Sequence, residues 1–181
     1  MKVKLTRGEM LAQWKQRMYL EPLRADCIVE RSDGIDLDSY CEQEMRLWYL
    51  NLLASADTRY LSPTDLTLTA VVKRIDGNRG SITLPTGTIR PVRVRLSGWR
   101  RDAAIVTEIS SGAGRRQLNP FGCGGVEEPV ALWLGDGRLE LFSLPTSEGT
   151  PLPEAVTAIV DHGDEVYEFD ELAWELLPRQ M

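Results

Sequence analysis

The chain has 181 residues, of which 43% are hydrophobic and 27% are charged, a globular composition that excludes a disordered chain. Its apolar runs are far shorter than the roughly 20 residues that a bilayer crossing needs, and no apolar stretch follows the basic start, so we expect neither a membrane segment nor a secretory signal. The net charge of −6 is unevenly spread: residues 73–116 carry ten Lys or Arg and three Asp or Glu, whereas residues 117–181 carry two and thirteen.

Two helices are predicted before residue 64. The first begins at Thr6, which has the capping-box spacing with Glu9, and it continues through Leu11, Trp14 and Met18 at helical spacing. The second is predicted to begin at a similar box from residue 39 and to end near residue 56. Its apolar stripe comprises Cys41, Met45, Trp48 and Leu52.

From residue 64 onward the apolar period changes to two, which is typical of strands. Residues 129–144 in particular predict a hairpin around the Asp-Gly turn at 136–137. The other predicted strands lie in residues 64–72, 82–84, 92–96 and 103–109. Five or six strands without intervening helices predict an antiparallel β-sandwich or small barrel.

The C-terminal part is predicted to be helical. Pro153 stands where a first helical residue is favoured, and apolar residues then recur at helical spacing up to residue 176. The predicted fold class is therefore α+β, with N-terminal helices, a central β-module and C-terminal helices. The predicted boundaries are 1–63, 64–144 and 145–181, with the two helical parts packed together in a single compact unit.

Residues 110–128 form a long glycine-rich segment between predicted strands, and it is predicted to be a flexible loop. Residues 112–116 lack the lysine pattern of a phosphate-binding loop. Asn119, Pro120 and Phe121 are the predicted docking residues for a partner, with Phe121 as the apolar anchor.

No set of residues predicts catalysis, a metal site or a cofactor. His162 is the only histidine, and a site needs several ligands or a nucleophile, a base and an orienting group. Cys123 is conceivable as a nucleophile beside it, but nothing local supports that pairing. Cys27, Cys41 and Cys123 have no C-x-x-C spacing, so reduced thiols in a reducing compartment are expected.

Residues 73–116 are the basic middle of the chain, and six of its arginines are the candidate contact residues. They can be a solvated strand face, a subunit interface or a surface that contacts nucleic-acid phosphates, and the sequence leaves these alternatives open. They are Arg93, Arg95, Arg100, Arg101, Arg115 and Arg116.

Two stretches resemble a known family. Residues 119–134 place an Asn-Pro loop before a Pro-Val strand, and residues 152–167 begin with a Leu-Pro helix-like segment. Both resemble head–tail connector, or neck ring, proteins of tailed bacteriophages that infect gut Bacteroidetes, crAss-like phages among them.

The resemblance implies a non-enzymatic virion protein, made in the host cytoplasm, whose identical copies form a ring. Its implied partners are the portal, other neck or tail proteins, and DNA passing non-specifically through the channel. A basic patch that meets an acidic patch on the next copy would close such a ring. The alternative is a small nucleic-acid-binding module of a mobile element that uses the arginine-rich sheet.

Overall fold

The structure is a computed structural model that describes residues 1–18, 36–119, 121–145 and 149–178. It confirms the α+β class and divides the chain into two compact units. The terminal unit comprises Met1–Ser62 with His162–Met181, and the central unit comprises Pro63–Asp161. None of the described helices is long and apolar enough to cross a membrane.

In its described residues, the terminal unit contains a two-stranded antiparallel sheet, two helices and two short 3₁₀ segments. Its strands are β1 (Lys2–Thr6) and β10 (Val166–Asp170), its helices are α1 (Arg7–Met18) and α2 (Leu37–Ser55), and its 3₁₀ segments are Thr58–Tyr60 and Glu171–Leu176.

Helix α1 begins as the capping box predicts. The backbone N–H and the hydroxyl of Thr6 donate to Oε2 of Glu9 at 2.9 and 2.8 Å, and the Glu9 N–H donates back to Oγ1 of Thr6 at 3.4 Å. These bonds satisfy donors that a helix N-terminus leaves open. The backbone hydrogen bond from Thr6 holds the pKa of Glu9 below its usual value.

Helix α2 ends at Ser55, as predicted, but the predicted start at Ser39 is wrong. Asp36 is the N-cap, and its carboxylate accepts hydrogen bonds from the Asp38 N–H at 3.0 Å and from the Ser39 hydroxyl at 2.6 Å. Ser39 is therefore not the N-cap, and its hydroxyl donates a hydrogen bond to the N-cap residue Asp36.

The predicted helix through residues 166–170 is wrong, because this segment is strand β10. It pairs with β1 from Lys2↔Asp170 to Thr6↔Val166. Tyr167 and Phe169 are buried on one face of β10, so its apolar residues follow a period of two. Pairing with a strand at the other end of the chain decides the conformation of a segment whose apolar spacing also fits a helix.

Aromatic side chains form the core of the terminal unit. Trp48 stacks on Trp174 with ring centroids 5.5 Å apart, and Phe169 meets both rings edge-on. Trp14 packs against Trp48 at 5.5 Å, and the Arg17 guanidinium lies 4.6 Å from the Trp174 ring centre. The tryptophans of the helical stripes are thus core residues, as expected.

The central unit consists of two sheets that share one hydrophobic core, which agrees with the predicted sandwich. Side chains from both sheets, such as Val94 and Val156 from one and Ile82 and Leu139 from the other, are fully buried in it. The first sheet has the order β2-β9-β5 and the second β3-β4-β8-β7-β6. These strands are β2 (Thr64–Asp65), β3 (Val72–Asp76), β4 (Arg79–Thr83), β5 (Thr88–Leu96), β6 (Ala104–Val106), β7 (Val130–Trp133), β8 (Arg138–Leu141) and β9 (Pro153–Val160).

Strand β9 is a second correction to the predicted C-terminal helices. Pro153 opens a strand that lies between β2 and β5. The segment contains four β-branched residues, which favour a strand because two heavy atoms on Cβ restrict the side chain in a helix. They are Val156, Thr157, Ile159 and Val160.

The strand predicted for residues 64–72 is shorter than expected. The Asp65 carboxylate accepts hydrogen bonds from the Thr67 hydroxyl at 2.6 Å and from the Thr67 N–H at 2.9 Å, and this turn ends β2. Leu68 is consequently 100% exposed instead of facing the core. The hairpin of β7 and β8 is confirmed, with left-handed backbone at Gly135 and Gly137.

Candidate interaction surface

The glycine-rich segment connects two parallel strands. Strands β6 and β7 pair in parallel from Ala104↔Val130 to Val106↔Leu132. Neighbouring parallel strands cannot be joined by a tight turn, so the chain must return to the start of β7 through a longer crossover. Residues 107–129, called here the β6–β7 connection, make this crossover.

The connection contains a helix, so the predicted flexible loop is wrong at residues 112–117. Helix α3 spans Gly112–Gln117. The Ser111 hydroxyl caps it by accepting from the Gly114 N–H at 3.1 Å and donating to the Glu108 carbonyl at 2.6 Å. A Cβ at Gly114 would lie 2.5 Å from the Glu108 oxygen and 2.7 Å from the Ile109 oxygen, so only glycine fits this start.

Side-chain amides hold the rest of the connection. The buried amide of Gln117 accepts from the Gly124 N–H at 2.8 Å and donates to the Ala113 carbonyl at 3.1 Å. Asn78 on the β3–β4 turn donates to Sγ of Cys123 at 3.3 Å and to the Phe142 carbonyl at 3.1 Å. Hydrogen bonds therefore link parts of the connection to each other and link the connection to the β3–β4 turn of the sheet.

Two large apolar side chains stand out from this bonded segment. Phe121 is 99% exposed and Leu118 is 59% exposed. The Phe121 N–H donates to Oδ1 of Asn119 at 3.0 Å, which fixes the turn after α3. Leu118 and Phe121 are called here the knob. Pro120, the third predicted docking residue, lies outside the described residues.

Arg115 and Arg116 lie beside the knob in the last turn of α3, and both are exposed. Within the described ranges, no carboxylate lies within ion-pair distance of either guanidinium. Ile109, three residues before the first residue of α3, is 49% exposed. A six-residue helix is only about 9 Å long, so the backbone positions of these apolar and cationic residues lie within a short stretch.

The other four predicted arginines are each paired within the central unit. The pairs are Arg93–Asp102 at 2.8 Å, Arg95–Glu154 at 3.1 Å, Arg100–Glu127 at 3.2 Å and Arg101–Glu128 at 2.7 Å. Their partners come from the basic stretch itself and from the acidic stretch that follows it. The structure thus separates the six arginines into four paired ones and two beside the knob.

The charge split of the sequence does not carry over to the two units. Pro63–Asp161 contains eleven Lys or Arg and eleven Asp or Glu, so the central unit has a formal net charge of zero. The terminal unit contains ten and sixteen, so it carries the whole net charge of −6. The positive charge of the basic stretch is balanced by carboxylates of its own unit.

The predicted chemistry candidates belong to different units. Cys123 is half-buried and lines a cavity of about 470 Å³ with Arg116, Gln117 and Glu127 in the central unit. His162 is exposed and belongs to the terminal unit. No group of three or more metal-binding side chains occurs in the part of the chain that the structure describes.

Sequence reasoning identified Phe121 but missed the residues that hold it in place. Gln117 and Asn78 look like ordinary polar loop residues, and nothing in the neighbouring sequence indicates that each of their amides makes two hydrogen bonds. The role of Asn78 depends on segments that are distant in sequence, since it contacts residues 45 and 64 positions away. No protein-family model matches the chain, and no curated protein matches it significantly.

Proposed function

We propose that this chain is a non-enzymatic structural subunit of a tailed-bacteriophage neck, where copies form a ring around the DNA channel between portal and tail. The observation that carries the proposal is the fully exposed Phe121 on a segment held by its own hydrogen bonds. Burial of a phenylalanine side chain stabilises a protein by roughly 1.5–3 kcal/mol, and an exposed one forgoes this stabilisation. A pre-organised and exposed aromatic side chain is typical of a docking surface that a partner covers.

The resemblance of residues 119–134 to neck proteins supports the phage assignment, since this stretch includes Phe121 of the knob. In this proposal the virion is the location of the assembled protein, and the portal and tail proteins are its neighbours. DNA passes through the channel without tight binding.

The paired arginines argue against the alternative, a nucleic-acid-binding module. Affinity for a phosphate backbone comes from cations that displace counterions, and each of Arg93, Arg95, Arg100 and Arg101 already faces a carboxylate. A central unit with zero net charge offers little long-range attraction for DNA.

Native mass spectrometry and negative-stain imaging of the full chain test the proposal. We expect a closed oligomer of identical copies, and weak duplex-DNA binding in a parallel mobility-shift assay. A protein that stays monomeric at high concentration and low salt, and that binds duplex DNA tightly with a steep salt dependence, would overturn the proposal in favour of the nucleic-acid module.

A further inference from the structure

We infer that the knob and the two arginines beside it dock on another protein of the neck, at a surface where apolar side chains stand among carboxylates. The inference rests on the proposed function, because it names the chemistry of the partner that covers Phe121. It commits to a protein different from this chain as the occupant of the knob.

The segment that carries the knob is cationic and has no acidic side chain of its own. Residues 109–126 contain two arginines and no Asp or Glu, whereas the whole chain has 27 acidic residues in 181. Arg115 and Arg116 are exposed, and no described carboxylate lies within ion-pair distance of either. An acidic partner would supply these carboxylates, which arginine binds through two parallel hydrogen bonds.

Other arginines of the central unit find acceptors within the chain. The four arginines of the ion pairs given above each meet a carboxylate. Arg138 lies 3.4 Å from Glu140, and Arg74 donates to the carbonyl oxygens of Pro145 and Gly149 at 2.8 Å each. The open state of the two guanidiniums beside the knob is therefore a local property of that surface, because the same unit satisfies these other arginines.

The apolar side chains favour a protein over a nucleic acid as the partner. Phenylalanine and arginine are both enriched in the centres of protein interfaces, and Phe121 is 99% exposed beside two arginines. A nucleic acid offers phosphates and base faces, and the aliphatic side chain of Leu118 pairs with neither. A protein surface can bury Leu118 and Phe121 together and place carboxylates against the arginines.

The knob is already ordered before it meets a partner. Asn119 accepts the Phe121 N–H at 3.0 Å, and the buried Gln117 amide bonds to Ala113 and Gly124. A segment that is fixed in advance loses little conformational entropy on docking, so more of the contact energy appears as affinity.

A second copy of the chain is a poorer match than another protein. Two concave surfaces of the described terminal unit carry carboxylates, and each also carries arginine. In the first, Glu42 pairs with Arg7 at 2.5 Å and Asp164 pairs with Arg46 at 2.7 Å. In the second, Arg17 lines the surface together with two glutamates. Both surfaces therefore contain cations that would repel the arginines of the knob.

A random copolymer of glutamate and tyrosine serves as the probe, since it presents aromatic rings among carboxylates. Two reference polymers separate the contributions: polyglutamate keeps only the carboxylates, and single-stranded oligo(dT) replaces them by phosphates and bases. At low salt, the wild-type protein should bind the copolymer about tenfold more tightly than either reference, as measured by fluorescence anisotropy.

Variants of the knob should lose this preference. F121A should lower the affinity for the copolymer about tenfold, to the level of polyglutamate. R115Q combined with R116Q should lower the affinity for both acidic polymers about fivefold. All three side chains are exposed, so the fold should persist, and urea denaturation checks this.

Two control variants match these changes elsewhere in the central unit. L68A truncates a leucine that is 100% exposed, and R93Q combined with R138Q removes two positive charges from exposed arginines that are already paired. Both controls should keep the wild-type affinity for the copolymer within about twofold. A loss as large as that of the knob variants would show that general charge or apolar surface causes the binding, and would overturn the inference.

The other outcomes separate this inference from the proposed function. Copolymer binding that is no tighter than that of polyglutamate, or tighter binding of oligo(dT), would overturn the inference. If the wild-type protein forms rings and F121A does not, a second copy covers the knob, so the inference is wrong while the proposed function stands. Knob-dependent copolymer binding by a protein that never forms rings would support the acidic and apolar partner and reject the ring.

Discussion

The backbone N–H of Gly124 donates a 2.8 Å hydrogen bond to Oε1 of Gln117, and this bond joins the end of α3 to the chain that returns toward β7. The Gln117 side chain is buried, so the bond is shielded from water. This bond helps to hold the glycine-rich segment, and with it the knob, in one conformation.

Replacement of Gln117 by alanine should loosen the β6–β7 connection without unfolding the rest of the central unit. The change leaves the Gly124 N–H without its acceptor, which costs about 1–3 kcal/mol when the group is shielded from water. We expect faster proteolysis within residues 107–129 and faster hydrogen exchange at the Gly124 amide. Equal proteolysis rates in wild type and Q117A would contradict the role assigned to this side chain.

Two glycines of α3 should respond in opposite ways to alanine. G114A places a Cβ 2.5 Å from a backbone oxygen, so the start of the helix must shift and the unfolding free energy should fall. G112A meets nothing within 4 Å and should be neutral or stabilising by up to about 1 kcal/mol, since alanine favours a helix. Urea denaturation of both variants measures the difference, and a similar loss in both would show that the packing at Gly114 is not the cause.

Acid should destabilise the protein through four carboxylates. Hydrogen bonds hold the pKa of each below its usual value: from the Thr6 N–H for Glu9, the Ser39 hydroxyl for Asp36, the Thr67 hydroxyl for Asp65 and the Leu172 N–H for Asp170. A carboxylate with a lowered pKa contributes stability above its unfolded-state pKa, near 4, and loses it as the pH falls through the folded-state pKa.

The unfolding free energy should therefore be level near neutral pH and decline below about pH 5. The double variant E9Q and D36N keeps hydrogen-bonding groups at both caps but removes their titration. Its acid decline, measured by urea denaturation at successive pH values, should be shallower than that of the wild type. Parallel curves would mean that these caps do not contribute to the acid sensitivity.

A charge swap tests the internal pairing of the arginines. R93E places a carboxylate against Asp102 and should lower the unfolding free energy by up to about 1 kcal/mol, the usual size of an exposed pair. The swapped pair R93E with D102R should recover most of that loss at low salt and less at high salt. If R93E disrupts self-association without changing stability, Arg93 belongs to a subunit contact, as the sequence allowed.

Local signals in the sequence were sufficient for α1, the end of α2 and the β7–β8 hairpin. Thr6 with Glu9 and the turn at Asp136 act over a few residues, so their outcome depends little on the rest of the fold. The strands β1, β9 and β10 were not predictable in this way. Their conformations depend on partners more than 50 residues away, and the apolar spacing of residues 153–176 fits both a helix and a strand.

The candidate surface was also predictable only in part from the sequence. Phe121 could be singled out from sequence because a large apolar residue stands among small ones. The ion pairing of the arginines could not be predicted from sequence. Arg95 and Glu154, for example, are 59 positions apart and meet only when β5 pairs with β9. A charge pattern along the chain therefore predicts little about the charge pattern on the surface once strands are paired.

The pairing of β1 with β10 has a consequence for the order in which the protein folds. The two strands flank the central unit in the chain, so the terminal unit completes its sheet only after Val166–Asp170 leave the ribosome. If the intervening 63–161 segment were unfolded, closing that loop would cost about 4 kcal/mol. The central unit should consequently fold first during synthesis, and pulse-labelled hydrogen exchange should find the amides of β9 protected before those of β10.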